Sequence, residues 1–186
     1  MSTERKDRDM DTGVLVTIVL VVLVVLIAVA VVVTRRRRRS EKLQEQYGPE
    51  YERTVEESGG RRQAESDLSE RSKRAEGLDI RPLTAESRES YSESWRQTQS
   101  EFVDSPEEAV GKADELVQEV MRERGYPVEN FEQAAADVSV EHPRVVGEYR
   151  AAHAISMAQQ HGEASTEDLR QAMVHYRALF DELLND

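Results

Sequence analysis

The sequence predicts an all-α protein: an N-terminal single transmembrane helix, a charged helical linker and a C-terminal small helical bundle. Three observations carry this. An uncharged apolar run covers Val14 to Val33, apolar residues recur at three- and four-residue spacing through the second half of the chain, and no segment shows the strict alternation of a strand.

The apolar run has the length of a membrane crossing. Its 20 residues include 11 valines and a single hydroxyl, Thr17, and as a helix they reach about 30 Å, the thickness of a hydrocarbon core. A cleavable signal peptide is the competing reading, with Ala28-Val29-Ala30 as its cleavage site. Three features oppose it: the preceding residues are net acidic, the run is too long, and the alanine pair lies inside it. The segments are therefore an extracytoplasmic tail (1–12), the span (13–34), a poly-arginine membrane flank (35–39), a charged juxtamembrane linker (40–77) and an acidic helical domain (78–186).

Charge sets the expected orientation. Arg35, Arg36, Arg37, Arg38 and Arg39 follow the span directly, whereas Arg5, Lys6 and Arg8 precede it at a distance. Basic residues close to a span stay inside, so the N-terminus is expected outside and the C-terminal domain in the cytoplasm, at the plasma membrane. The same arginines can hold anionic lipid headgroups, each contributing about 1 kcal/mol near the surface. Of the overall charge of -12, residues 40–186 carry -16. Such an acidic body repels phosphate backbones and argues against nucleic acid as a partner. No ionisable residue lies in the apolar run, and Ala28 and Ala30 are not at the four-residue spacing of a small-xxx-small face, which favours tethering over transport.

Beyond the arginines, Leu43, Tyr47, Tyr51 and Val55 form a four-residue stripe broken at Gly48-Pro49. Proline suits the first position of a helix, so a bend and a new helix at Pro49 are expected. Residues 61–77 are dense in mixed charge, with Ala64, Leu68 and Ala75 as the only apolar positions. They read as a solvated helical spacer without a buried face.

Five helices follow. Leu78, Ile80 and Leu83 belong to an extended strap, and a helix from Thr84 to about Val103 carries Tyr91, Trp95 and Phe102 on one face. That aromatic stripe reads as core; Trp95 is also a possible partner contact. Ser105-Pro106-Glu107-Glu108 has the form of a capping box. The helix it opens stops at Gly125, with Tyr126 placed for a Schellman motif and Pro127 blocking continuation. A short helix spans 130–140. Another runs to about Gln160, and a last one, capped by Ser165 with Asp168 or by Thr166 beside it, steps through Leu169, Met173, Tyr176, Phe180 and Leu183. Those positions form a two-heptad seam, too short for a coiled coil by itself but suited to self-association.

Catalytic signals are weak. Cysteine is absent, which removes thiolate metal sites and cysteine nucleophiles. His142 is placed as an N-cap and His161 near a helix end, while His153 and His175 lie within helices. None pairs with another histidine at metal-ligand spacing, and no phosphate-binding or nucleophile-elbow motif occurs. No cofactor or metal is expected, and all four read as surface or boundary residues.

Taken together, YGPEYERTV (47–55), LDIRPL (78–83), MRERGYP (121–127) and STEDLRQAMVHYRALFDELL (165–184) resemble a widespread group of bacterial single-pass membrane proteins with no established activity. The resemblance covers most of the chain after the span and transfers no functional residues. It does mark Tyr47, Gly48, Pro49 and Tyr51 as possible partner contacts. The resulting expectation is a membrane-anchored cytoplasmic protein-interaction module, a tether or adaptor without catalysis. The alternative is a small helical enzyme or ligand-binding domain using His153 or His175.

Overall fold

A computed structural model describes residues 4–186, with side chains from Thr17 onward except Ile18, Val22 and Arg36. The first three residues of the tail, the side chains up to Val16 and that of Arg36 thus lie outside the described part. The described residues form eight helices and no strand, as the fold class predicts.

Two units make up the chain, residues 1–42 and 43–186. Helix α1 (Glu4–Tyr47) holds the apolar run. The described side chains between Val19 and Val33 are exposed, Leu20 at 56% and Val24 at 63%, and none of the described apolar window is buried in the protein. A soluble surface does not ordinarily carry a contiguous apolar cylinder of this size. The helix is long and apolar enough to cross a membrane. Arg35, Arg37, Arg38 and Arg39 are exposed after it.

The second unit begins at Leu43. Gly48, at φ 47° and ψ -121°, ends α1 with a turn that only glycine takes without strain, and Pro49 opens α2 (Pro49–Glu57). Helix α3 (Arg61–Ala75) then folds back. Here the structure corrects the expected spacer. Ala64 and Leu68 are fully buried, and Leu68 joins Leu43, Tyr47 and Tyr51 in a small apolar cluster with Val55 and Val140 at its edge. Burying one leucine stabilises by about 2 kcal/mol. The boundary of the compact body thus falls after Lys42, and residues 43–77 are part of it.

The larger core is built by α4 (Ala85–Glu101), α5 (Pro106–Arg124), α6 (Phe131–Glu141), α7 (Val146–Gln160) and α8 (Thr166–Asn185). Helix α8 packs against both α5 and α7. The expected seam, Leu169, Met173, Tyr176, Phe180 and Leu183, is buried in this core, which occupies it within the chain and leaves it no room as a self-association face. Trp95 is 4% exposed and stacks on Phe180 with ring centroids 4.6 Å apart, so its place is in the core and not at a partner contact.

Caps follow the sequence except at Ser105 and at His142, which closes α6 while Val145 takes the N-cap of α7. Ser165 and Asp168 form a reciprocal capping box, while Thr84 and Asn130 each accept from the backbone N–H three residues on. Ser105 occupies the N-cap before Pro106, but its side chain makes no capping bond. Its ψ of 73° departs from the extended geometry that aims the hydroxyl at the first-turn N–H groups.

Gly125 ends α5 as expected. It takes φ 102°, and the Tyr126 N–H donates to the Met121 carbonyl at 2.9 Å, the Schellman bond. The strap passes directly over it: the Arg81 N–H donates to the Arg124 carbonyl at 2.9 Å, and Leu83 is buried while Leu78 and Ile80 pack at the core's edge.

Candidate functional site

The segment Tyr47-Gly48-Pro49-Glu50-Tyr51 folds as an internal lock. The Tyr47 hydroxyl donates to the Leu68 carbonyl at 2.9 Å and lies 2.8 Å from Ser72 Oγ, and Tyr51 donates to Glu65 at 3.0 Å. Both rings are buried, so they are closed to a partner; of the four expected contact residues in this segment, Pro49 is exposed and Gly48 partly so. Between them Glu50 is 2% exposed. It accepts from Arg71 at 2.8 Å and from Arg150 at 2.7 and 3.0 Å, with Arg53 at 3.6 Å. Burial opposes ionisation of Glu50, but the Arg150 hydrogen bonds and charge, then Arg71 and Arg53, outweigh it and hold the carboxyl below its usual range. Arg74 makes a second tie, donating to the fully buried Asp137 of α6 at 2.8 Å.

Sequence reasoning missed this lock. The signal was a carboxylate at position 50, on the face that Tyr47, Tyr51 and Thr54 share; a buried acid on a helix this short requires a cation from elsewhere.

Of the four histidines, His153 and His175 sit half-buried. His153 stacks on Phe131 at 3.6 Å, and His175 Nδ1 meets a carboxylate oxygen of Glu148. Neither lines the cleft of about 330 Å³ between α4 and α8, walled by Phe102, Met173 and Val174, nor the larger one described next.

His142 departs furthest from expectation. It closes α6 as C-cap and, at 3% exposure, is a buried residue. Around it gather the ends of three helices. Nδ1 lies 3.5 Å from Glu182 Oε1, and Nε2 lies 3.6 Å from Asp186 Oδ2 and has no hydrogen-bond partner. Arg124, itself buried, donates to the Leu183 carbonyl at 3.0 Å and to Asp186 at 2.7 Å. A cation there satisfies the last carbonyls of α8 and complements its dipole. The Arg124 hydrogen bond, ahead of any other influence, lowers the Asp186 pKa. Tyr126 donates to Glu141 at 2.7 Å, and burial followed by this bond pushes its phenol far up. Beside the group opens a cleft of about 470 Å³, lined by Ile80, Arg81, Pro82, Arg124, Glu141 and Asp186.

No family model matches the chain, and neither a curated protein nor a solved structure matches it.

Proposed function

We propose that the protein is a bitopic membrane tether: α1 crosses the plasma membrane with its N-terminus outside, and the acidic body of residues 43–186 acts beneath it as a protein-interaction module. The observation that carries the reading is the exposed apolar surface of the described side chains between Val19 and Val33, with the arginine run just after it in sequence. Water disfavours that surface and lipid accepts it. The arginine flank supports the orientation through the positive-inside preference, and it supplies a headgroup contact. The resemblance to bacterial single-pass membrane proteins belongs to the same reading. Acidic over most of its length, the body favours a partner that presents a basic face.

Crosslinking in native membranes tests the tether. Full-length protein is expected to stay in the membrane fraction through an alkaline carbonate wash and to give a defined set of crosslinks. Residues 43–186 alone should lose those crosslinks, and an unrelated single-span anchor of the same orientation should restore them. An identical crosslink pattern from the free body would contradict a tethering role.

A further inference from the structure

We propose that Glu141, His142 and Asp186 form a binding site for a first-row divalent metal ion, with Zn2+ the best match to the donor set. One ligand atom from each lies within 4.8 Å of the others. Adjustments of about an ångström bring three such atoms to the ligand distances of about 2.0–2.2 Å that zinc takes with nitrogen and carboxylate oxygen.

What distinguishes the group from ordinary surface acids is the histidine between them. His142 is 3% exposed, and its Nε2, turned toward Asp186 at 3.6 Å, has no hydrogen-bond partner. Several buried polar atoms among the described residues lack a hydrogen-bond partner, but the His142 Nε2 is the one set among carboxylates that could share a cation with it. The far side of the ring agrees. Glu182 faces Nδ1 at 3.5 Å, which favours the tautomer with hydrogen on Nδ1 and leaves a lone pair on Nε2, the nitrogen that lies 3.6 Å from Asp186. A carboxylate behind a ligating imidazole is the usual arrangement around protein-bound metals.

Both acids are held in place by neighbours that leave them an oxygen to give. Tyr126 donates to Oε2 of Glu141, and Arg124 donates to Oδ2 of Asp186. Each carboxylate has a second oxygen, so neither bond has to break. Three protein ligands leave zinc a fourth position, and because Glu141 and Asp186 also line the adjoining cleft, that position opens toward it. The strongly acidic body raises the local concentration of cations. Bound there, the ion fastens the end of α6 to the end of α8.

The rival occupant is a proton, with an imidazolium bridging the two carboxylates. Full-length protein in detergent micelles, stripped with a chelator, separates the two. In buffer with excess Mg2+ to suppress diffuse binding, Zn2+ titrated by calorimetry is expected to bind one ion per chain and to raise the Tm. Co2+ should produce visible absorption bands. Asp186→Asn and Glu141→Gln keep an amide oxygen to accept from Arg124 and Tyr126 while removing the ligand charge; with the fold of each checked by its Tm without metal, each is expected to weaken Zn2+ binding by about tenfold or more. His142→Gln should abolish it, with helicity checked by circular dichroism. No Zn2+ binding in the presence of Mg2+, or binding that Asp186→Asn and Glu141→Gln leave unchanged, would overturn the assignment.

Discussion

Glu50 and Arg150, 100 residues apart in the chain, meet through two hydrogen bonds of 2.7 and 3.0 Å. Through them the first helix after the Gly48 turn is bolted to α7, and Arg71 brings α3 to the same carboxylate. Removing the acid while leaving both arginines is expected to destabilise strongly, because a buried charge loses its partner. Glu50→Ala should cost about 3 kcal/mol, read from urea denaturation.

Acid sensitivity follows from the same residue. Its folded pKa lies below the ordinary value of 4.5, so the unfolded chain binds more protons in the interval between the two. The stability Glu50 contributes is present above the unfolded pKa and is lost as pH falls through the folded one. Glu50→Gln should therefore flatten the acid limb of the stability profile below about pH 4.5. An acid limb identical to that of the unaltered protein would show that Glu50 is not held as described.

The domain boundary makes a further prediction. A fragment from Leu43 to Asp186 keeps the Tyr47, Tyr51 and Leu68 cluster and the Arg74 to Asp137 tie, whereas one starting at Leu78 loses all of them and leaves Arg150 unpaired. The shorter fragment is expected to melt lower by about 10 °C or more, as a loss of roughly 3 kcal/mol implies for a domain of this size. Equal melting temperatures would return residues 43–77 to the status of a spacer.

How much of this was legible in the sequence depends on which residues carried the packing. The apolar faces of α5 and α8 are rows of large aliphatic and aromatic side chains, and every seam position of α8 lies where the spacing puts it. Helix α3 hid its buried face because Ala64 and Leu68 are followed by Arg71 and Arg74, charged residues that tie the helix down only because Glu50 and Asp137 meet their guanidiniums. Such cross-chain charge pairing leaves no periodic trace. His142 was hidden for a related reason: its burial is produced by the ends of α5 and α8, far away in sequence.

Trp95 reports on the core. As the protein's sole tryptophan, buried against Phe180, it should emit at short wavelength in the native state and shift red on unfolding. Trp95→Ala is expected to cost about 3–5 kcal/mol. A tryptophan used for partner binding would instead be accessible to quenchers and lose little stability on truncation.

Gly125 is intolerant for two reasons. Its φ of 102° is unfavourable for any side chain, and an added Cβ would lie 2.3 Å from the Asp79 carbonyl oxygen. Gly125→Ala should destabilise by more than about 1 kcal/mol and push the 78–83 strap away from α5. Faster amide exchange at Arg81, whose N–H is bonded to Arg124, would reveal the displacement; unchanged exchange would contradict it.

The most direct test of the tethering account is topology. Paired reporters, one active only in the cytoplasm and one only outside it, fused after Asp186 of the full-length chain, should give cytoplasmic activity alone. Replacing Arg35 to Arg39 with glutamine should weaken that preference. An exported C-terminus in the unaltered protein would place the acidic body on the opposite face and contradict the account.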